Sequence, residues 1–207
     1  MLERLDQQLF VFLNSFNSPF CDQVMHAISG RLIWVPLYLA ILIYLGVKYK
    51  RKFLVILLFI ILAATLSDQM SVLIKNLVLR LRPCFEPSLE GHVHIVNGEC
   101  GGKYSFVSSH ATNSFDVALL SLLFIKKRWY SICIIVWALV IGYSRIYLGV
   151  HYPGDVICGS LLGALIGWSV YSLYVMADNK ILKYKPFFNT SSSPNILPPI
   201  PPKGGLK

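Results

Sequence analysis

The sequence predicts an all-α fold built in a bilayer: a polytopic membrane helical bundle of five to six helices, including an N-terminal interfacial helix. Composition, a series of long apolar runs, and positive charge at alternate junctions between those runs point to it. Of the 207 residues, 55% are hydrophobic and 14% charged, against about 25% charged in a soluble domain. Mean hydropathy is +0.60, so lipid rather than water is the main solvent.

The opening stretch "LERLDQQLFVFLNSF" sets Leu2, Leu5, Leu9, Phe12 and Leu13 on one helical face. It is too short and too polar to cross a hydrocarbon core that needs about 20 apolar residues, so it should lie in the interface. Residues 32–47 form the first crossing, with "VMHAISGR" (24–31) supplying its first turns. Residues 53–74 follow, broken only by Asp68, and then 111–125, 129–148 and 156–176. The run 111–125 is short and carries Thr112, Asn113 and Asp116 near its start, which calls for burial against other helices. The last run carries Gly159, Gly163 and Gly167, a spacing that lets a neighbouring helix approach closely. The sequence thus divides into a membrane-embedded domain, 1–185, and a Pro/Ser-rich tail, 186–207, expected to be disordered.

The net charge of +9 would suggest nucleic acid in a soluble chain. Here the cations gather in "KYKRK" (48–52), "KKR" (126–128) and around Lys180, Lys183 and Lys185, the pattern of cytoplasmic loops. No basic stripe is interleaved with exposed aromatics, which argues against a nucleic-acid partner. With these clusters on one side, junctions 75–110 and 144–155 both reach the other. The start, with Glu3, Arg4 and Asp6, does not read as a cleavable signal. Cys84 and Cys100 share an external loop where a disulfide can form. Cys21, Cys133 and Cys158 read as small packing residues.

The two external junctions carry the chemistry. Lys75 and Arg82 lie seven residues apart, on one helical face, and Asp68 extends that stripe. Pro83 should end this helix, and Arg80 reads as a snorkelling charge pointing elsewhere. Ser108 or Ser109 caps the next helix and puts His110 in its first turn, where free N–H groups favour an anion. Arg145 closes one run and Pro153 opens the next. His151 sits between them, with Asp155 four residues on to accept its Nδ1–H; that would fix the tautomer and sharpen the other nitrogen as a nucleophile. Three cations, a helix N-terminus and two histidines in different settings suit phosphoryl transfer. His92 and His94 ("HVH") are too few for a metal site and read as a solvated loop face.

Three stretches carry a resemblance: Lys75 to Arg82-Pro83, "VSSH" at 107–110, and Ser144-Arg145 to His151 to Asp155. In order and spacing the chain resembles the type-2 phosphatidic acid phosphatase superfamily, integral-membrane lipid phosphatases whose site is related to that of vanadium haloperoxidases. The first and third motifs match at every defining position. The second has Val107 where the family has proline and Ser109 where it has glycine. The resemblance implies metal-independent hydrolysis without a cofactor. His151 would be the nucleophile that becomes phosphohistidine, Asp155 its orienting carboxylate, and His110 the proton donor to the leaving group. Lys75, Arg82, Arg145 and the amides near Ser108 and Ser109 would bind the phosphoryl oxygens. The family is typically built from six membrane helices, one more than the crossings read here.

The expected partners are a membrane lipid substrate and the phospholipid bilayer, with oligomeric state left open. Undecaprenyl pyrophosphate is the first expected substrate; phosphatidylglycerophosphate and lipid A are the alternatives. A lipid-binding or transport protein retaining the fold is the non-enzymatic alternative. The expected location is a bacterial inner membrane, with the site facing the periplasm or exterior and loop 84–107 covering it.

Overall fold

The computed structural model describes residues 1–183, so the expected 186–207 tail lies outside the described residues. Helices α1 (Leu2–Asn14) and α2 (Pro19–Ser29) precede α3 (Val35–Tyr49), α4 (Phe53–Val78), α5 (Ser109–Ile125), α6 (Arg128–Tyr147) and α7 (Pro153–Lys183). No strand is present among the described residues. Leu32–Val78, Arg128–Tyr147 and Pro153–Asn179 are long and apolar enough to cross a membrane. The first of these stretches holds both α3 and α4, parted by a turn at Lys50–Lys52 where Lys50 has φ +47°. The chain is an all-α integral membrane protein.

One expectation needs correction. "VMHAISGR" does not extend the first crossing, because residues 24–29 belong to the separate helix α2, capped by Ser18 and followed by extended Gly30. Pro19 at its first position and the Ser18 side chain accepting from the Cys21 N–H form a start signal that an apolar-run reading passes over. On helix α1, Leu2, Leu5, Leu9 and Phe12 of the expected apolar face are exposed, whereas Leu13 is half-buried against the cluster around the fully buried Phe10.

Helix α5 is the hub. Thr112, Asp116, Ala118, Leu120 and Phe124 are buried on it, and α7 packs along it through the expected glycine stripe. A Cβ on Gly159 would lie 2.7 Å from the Ser108 carbonyl oxygen, and one on Gly167 would lie 3.0 Å from that of Asp116. A Cβ on Gly163 would collide with the Thr112 carbonyl. Hydrogen at these three positions sets the distance between the two helices. At the end opposite junctions 75–110 and 144–155, Lys48 Nζ donates to the carbonyls of Phe124 and Ile125, at 2.9 and 3.0 Å. Lys52 pairs with Asp178 at 2.8 Å. Two of the basic clusters therefore gather at one end, and junctions 75–110 and 144–155 at the other.

Candidate active site

Four helix ends converge at that second end. Helix α4 stops at Val78 on Leu79, which takes the left-handed conformation with φ +56°. Arg82 therefore lies beyond the helix rather than on its face, and the heptad spacing is met by a turned chain. Leu81 bridges to Tyr104, so 80–82 and 103–105 run side by side. Arg82 is buried by this pairing; its Nη1 donates to the Cys100 carbonyl at 2.8 Å and its Nε to that of Tyr104 at 3.2 Å. The Cys84 and Cys100 sulfurs face each other with Cα atoms 6.2 Å apart, within the span of a disulfide.

Ser108 occupies the N-cap of α5, although its hydroxyl makes no capping bond and is buried without a partner among the described residues. Ser109, standing where the family has glycine, accepts hydrogen bonds from Lys75 Nζ at 3.2 Å and Ser71 Oγ at 2.8 Å. The departure thus ties α4 to the start of α5. Helix α6 ends at Tyr147, where Gly149 turns the chain with φ +77°. A Cβ there would lie 2.6 Å from the His94 carbonyl oxygen, so glycine is required on two counts.

Ser29, Arg82, Cys100, Gly101, His110 and Arg145 share the wall of one 350 Å³ cavity. Arg145 Nη1 donates to Ser29 Oγ, while its Nε is buried without a partner among the described residues. His151 lies behind this wall, 1% exposed, within the fields of Arg145, Arg82 and Lys75. Burial and these three cations hold its imidazole well below the ordinary histidine range. His110 feels the charges of both Arg145 and His151, which puts the two imidazoles in one electrostatic neighbourhood.

Two expectations change here. The anticipated hydrogen bond from His151 Nδ1 to Asp155 is a looser contact of 3.6 Å. Asp155 is fully buried and already committed: Oδ2 accepts the Tyr152 N–H at 2.9 Å and Oδ1 accepts from Arg80 at 2.9 Å. Arg80 is no snorkelling charge. It pairs with both Asp155 and Asp6 and stacks 3.9 Å over the Tyr152 ring.

Sequence reading missed that the interfacial helix braces the site. Asp6 accepts the Gly154 N–H at 2.8 Å, securing the start of α7. Asn14 Nδ2 donates to the carbonyls of His94, Ile146 and Tyr147, and its Oδ1 accepts the His94 N–H at 2.7 Å. His94 is half-buried rather than a solvated loop residue, with Nε2 2.9 Å from Asp22. Charges at Asp6 and Asp22 on otherwise membrane-seeking helices were the available signal. No group of three or more His, Cys, Asp or Glu side chains that could hold a metal ion occurs among the described residues.

Residues 52–178 match the PAP2 superfamily. A lipid A 4'-phosphatase of Bacteroides thetaiotaomicron is 43% identical over 82% of this chain and 77% of its own length. A putative undecaprenyl-diphosphatase of Escherichia coli, YbjG, is 33% identical over 81% of each. The crystal structure of Aquifex aeolicus LpxE superposes with a TM-score of 0.64 at 27% identity, covering 80% of this chain and 93% of that one.

Proposed function

The chain belongs to the PAP2 superfamily and is a lipid phosphate phosphatase; on that premise we propose that its substrate is lipid A, from which it removes a phosphate at the outer face of the inner membrane. The observation that carries this choice is the 43% identity with a lipid A 4'-phosphatase across 82% of the chain. The first expectation, undecaprenyl pyrophosphate, has the support of a relative at 33% identity. The alternative of the sequence reading is thus favoured over its main reading.

In the proposed mechanism Arg82, Arg145, Lys75 and the amides at the start of α5 hold the phosphoryl oxygens and neutralise the charge that develops on them. The free nitrogen of neutral His151 attacks phosphorus; the N–P bond forms as the bond to the lipid oxygen breaks. His110 gives its proton to that oxygen. Water then attacks the phosphohistidine, His110 takes the water proton, and inorganic phosphate leaves. Arg80 holds Asp155 within reach of His151, and the 3.6 Å contact closes to a hydrogen bond as the imidazole gains charge.

The test is phosphate release by the purified full-length chain, in detergent with a chelator, from lipid A, undecaprenyl pyrophosphate and phosphatidylglycerophosphate. The proposal expects lipid A to give the highest kcat/KM; a higher value for the polyprenyl substrate would reverse the choice. A His151→Ala variant that still releases phosphate would remove the mechanism.

A further inference from the structure

Away from the site, a groove of 420 Å³ lies between α3 and α6. Leu37, Ala40 and Tyr44 of α3 face Tyr130, Ile134 and Trp137 of α6 across it. Both helices belong to stretches long and apolar enough to cross a membrane, so the groove lies at the depth of the hydrocarbon. Trp137 closes one end of it against Trp34 and Tyr38, with ring centroids 5.5 and 6.2 Å apart. From Trp34 to Tyr44, and from Trp137 to Lys127, the chain spans about 15 Å at 1.5 Å per helical residue. A hydrocarbon core is about 30 Å thick. The groove therefore has the depth of one leaflet.

Its other end is basic. Lys127 lines the groove there, with Nζ 5.4 Å from the centroid of the Tyr44 ring. Lys48 Nζ lies 6.0 Å from the same centroid but is engaged by the carbonyls of Phe124 and Ile125, and Lys52 is engaged by Asp178. Among the described residues Lys127 hydrogen-bonds only through its carbonyl, to Ser131. The neighbouring chain supplies no counter-charge, because residues 23–67, 117–154 and 179–207 contain no Asp or Glu. Trp129, exposed at this end, carries the kind of amphipathic ring that settles at the level of lipid head groups.

We propose that this groove binds one anionic phospholipid, with an acyl chain along α3 and α6 and the head-group phosphodiester at Lys127. The apolar walls at hydrocarbon depth call for a lipid chain. The basic end, without an acidic partner for Lys127, calls for a negatively charged head, and basic pockets between membrane helices select such heads. A zwitterionic lipid would fill the groove and leave the excess positive charge unanswered. The bound lipid is a phosphodiester at the end of the bundle opposite His151, so it is not a substrate. The inference is independent of the lipid A reading, and either can fail without the other.

The test is native mass spectrometry of the full-length protein released from nanodiscs made of equal parts phosphatidylglycerol and phosphatidylcholine with matched chains. The wild type should retain phosphatidylglycerol over phosphatidylcholine by about fivefold, the effect of one lysine near an anionic head group. Lys127→Gln should bring the ratio down by about that factor. Ala40→Phe, which fills the groove, should lower the retention of phosphatidylglycerol. Both variants lie away from the catalytic end and should hydrolyse p-nitrophenyl phosphate as the wild type does. Equal retention of the two lipids by the wild type overturns the inference without recourse to any variant. A ratio unchanged in folded Lys127→Gln overturns the assignment of the head group to Lys127. Retention of phosphatidylglycerol unchanged in folded Ala40→Phe overturns the groove as the place of the chain.

Discussion

Arg80 Nη1 donates to Asp155 Oδ1 at 2.9 Å, and this pair of a half-buried guanidinium and a fully buried carboxylate joins the segment after α4 to the start of α7 beside His151. Asp6 closes the same guanidinium from α1 at 2.8 Å. The carboxylate proposed to orient His151 is thus itself held, by a residue that lies within the first motif's stretch but at none of its defining positions.

Arg80→Ala should lower kcat by about 10²-fold, the cost of small misplacement of a reacting group, with KM much less affected. Arg80→Lys, which keeps one of the two contacts, should recover part of the loss. If Arg80 only stabilised the fold, the alanine variant would lose folded protein but keep its kcat per folded molecule.

His110 as proton donor matters most where the leaving group is poor. His110→Ala should lose roughly 10²–10⁴-fold on a lipid substrate. On p-nitrophenyl phosphate, whose leaving group departs without a proton, the loss should be far smaller. Equal losses on both would assign His110 to phosphate binding instead.

Gly163 faces the Thr112 carbonyl with no room for a Cβ. Gly163→Leu should part α5 from α7 at a cost of about 1–3 kcal/mol, the usual range for overpacking, seen as a lower Tm in detergent. An unchanged Tm would show the seam to be looser than described.

Because His151 is held below the ordinary value of 6.5, the unfolded imidazole protonates as pH falls through about 6.5 while the folded one does not. The folded state should therefore lose stability below that pH and be unaffected by this group above it. Between pH 7 and 5 the Tm of the wild type should fall more steeply than that of His151→Gln. Parallel slopes would contradict a neutral buried imidazole.

A Cys84–Cys100 bridge would close a loop with a sequence separation of 16; a loop of about 15 residues gives roughly 3 kcal/mol. Non-reducing peptide mass spectrometry should find the linked pair. Reduction should raise KM, since the Cys100 carbonyl holds Arg82.

By itself the sequence determined the solvent, most of the crossings, and the end of the bundle at which the candidate site residues gather. Apolar run length, alternating charge and motif spacing are local properties, and lipid enforces them strongly because no backbone group can go unpaired there. The glycine stripe on α7 was legible for the same reason, since its period is local even though its partner is not.

Tertiary structure decided what local pattern could not. Arg80 and Lys75 are both cations near the end of α4, yet one braces a carboxylate and the other meets Ser109; only the αL turn at Leu79 and the docking of α1 separate them. Helix α2 hid inside an apparent crossing, because hydropathy registers a run and not the Gly30 break within it. The bracing by Asp6 and Asn14 spans 148 and 132 residues of sequence. Pairings at such separations are selected by packing, where a buried charge must find a partner wherever the chain supplies one.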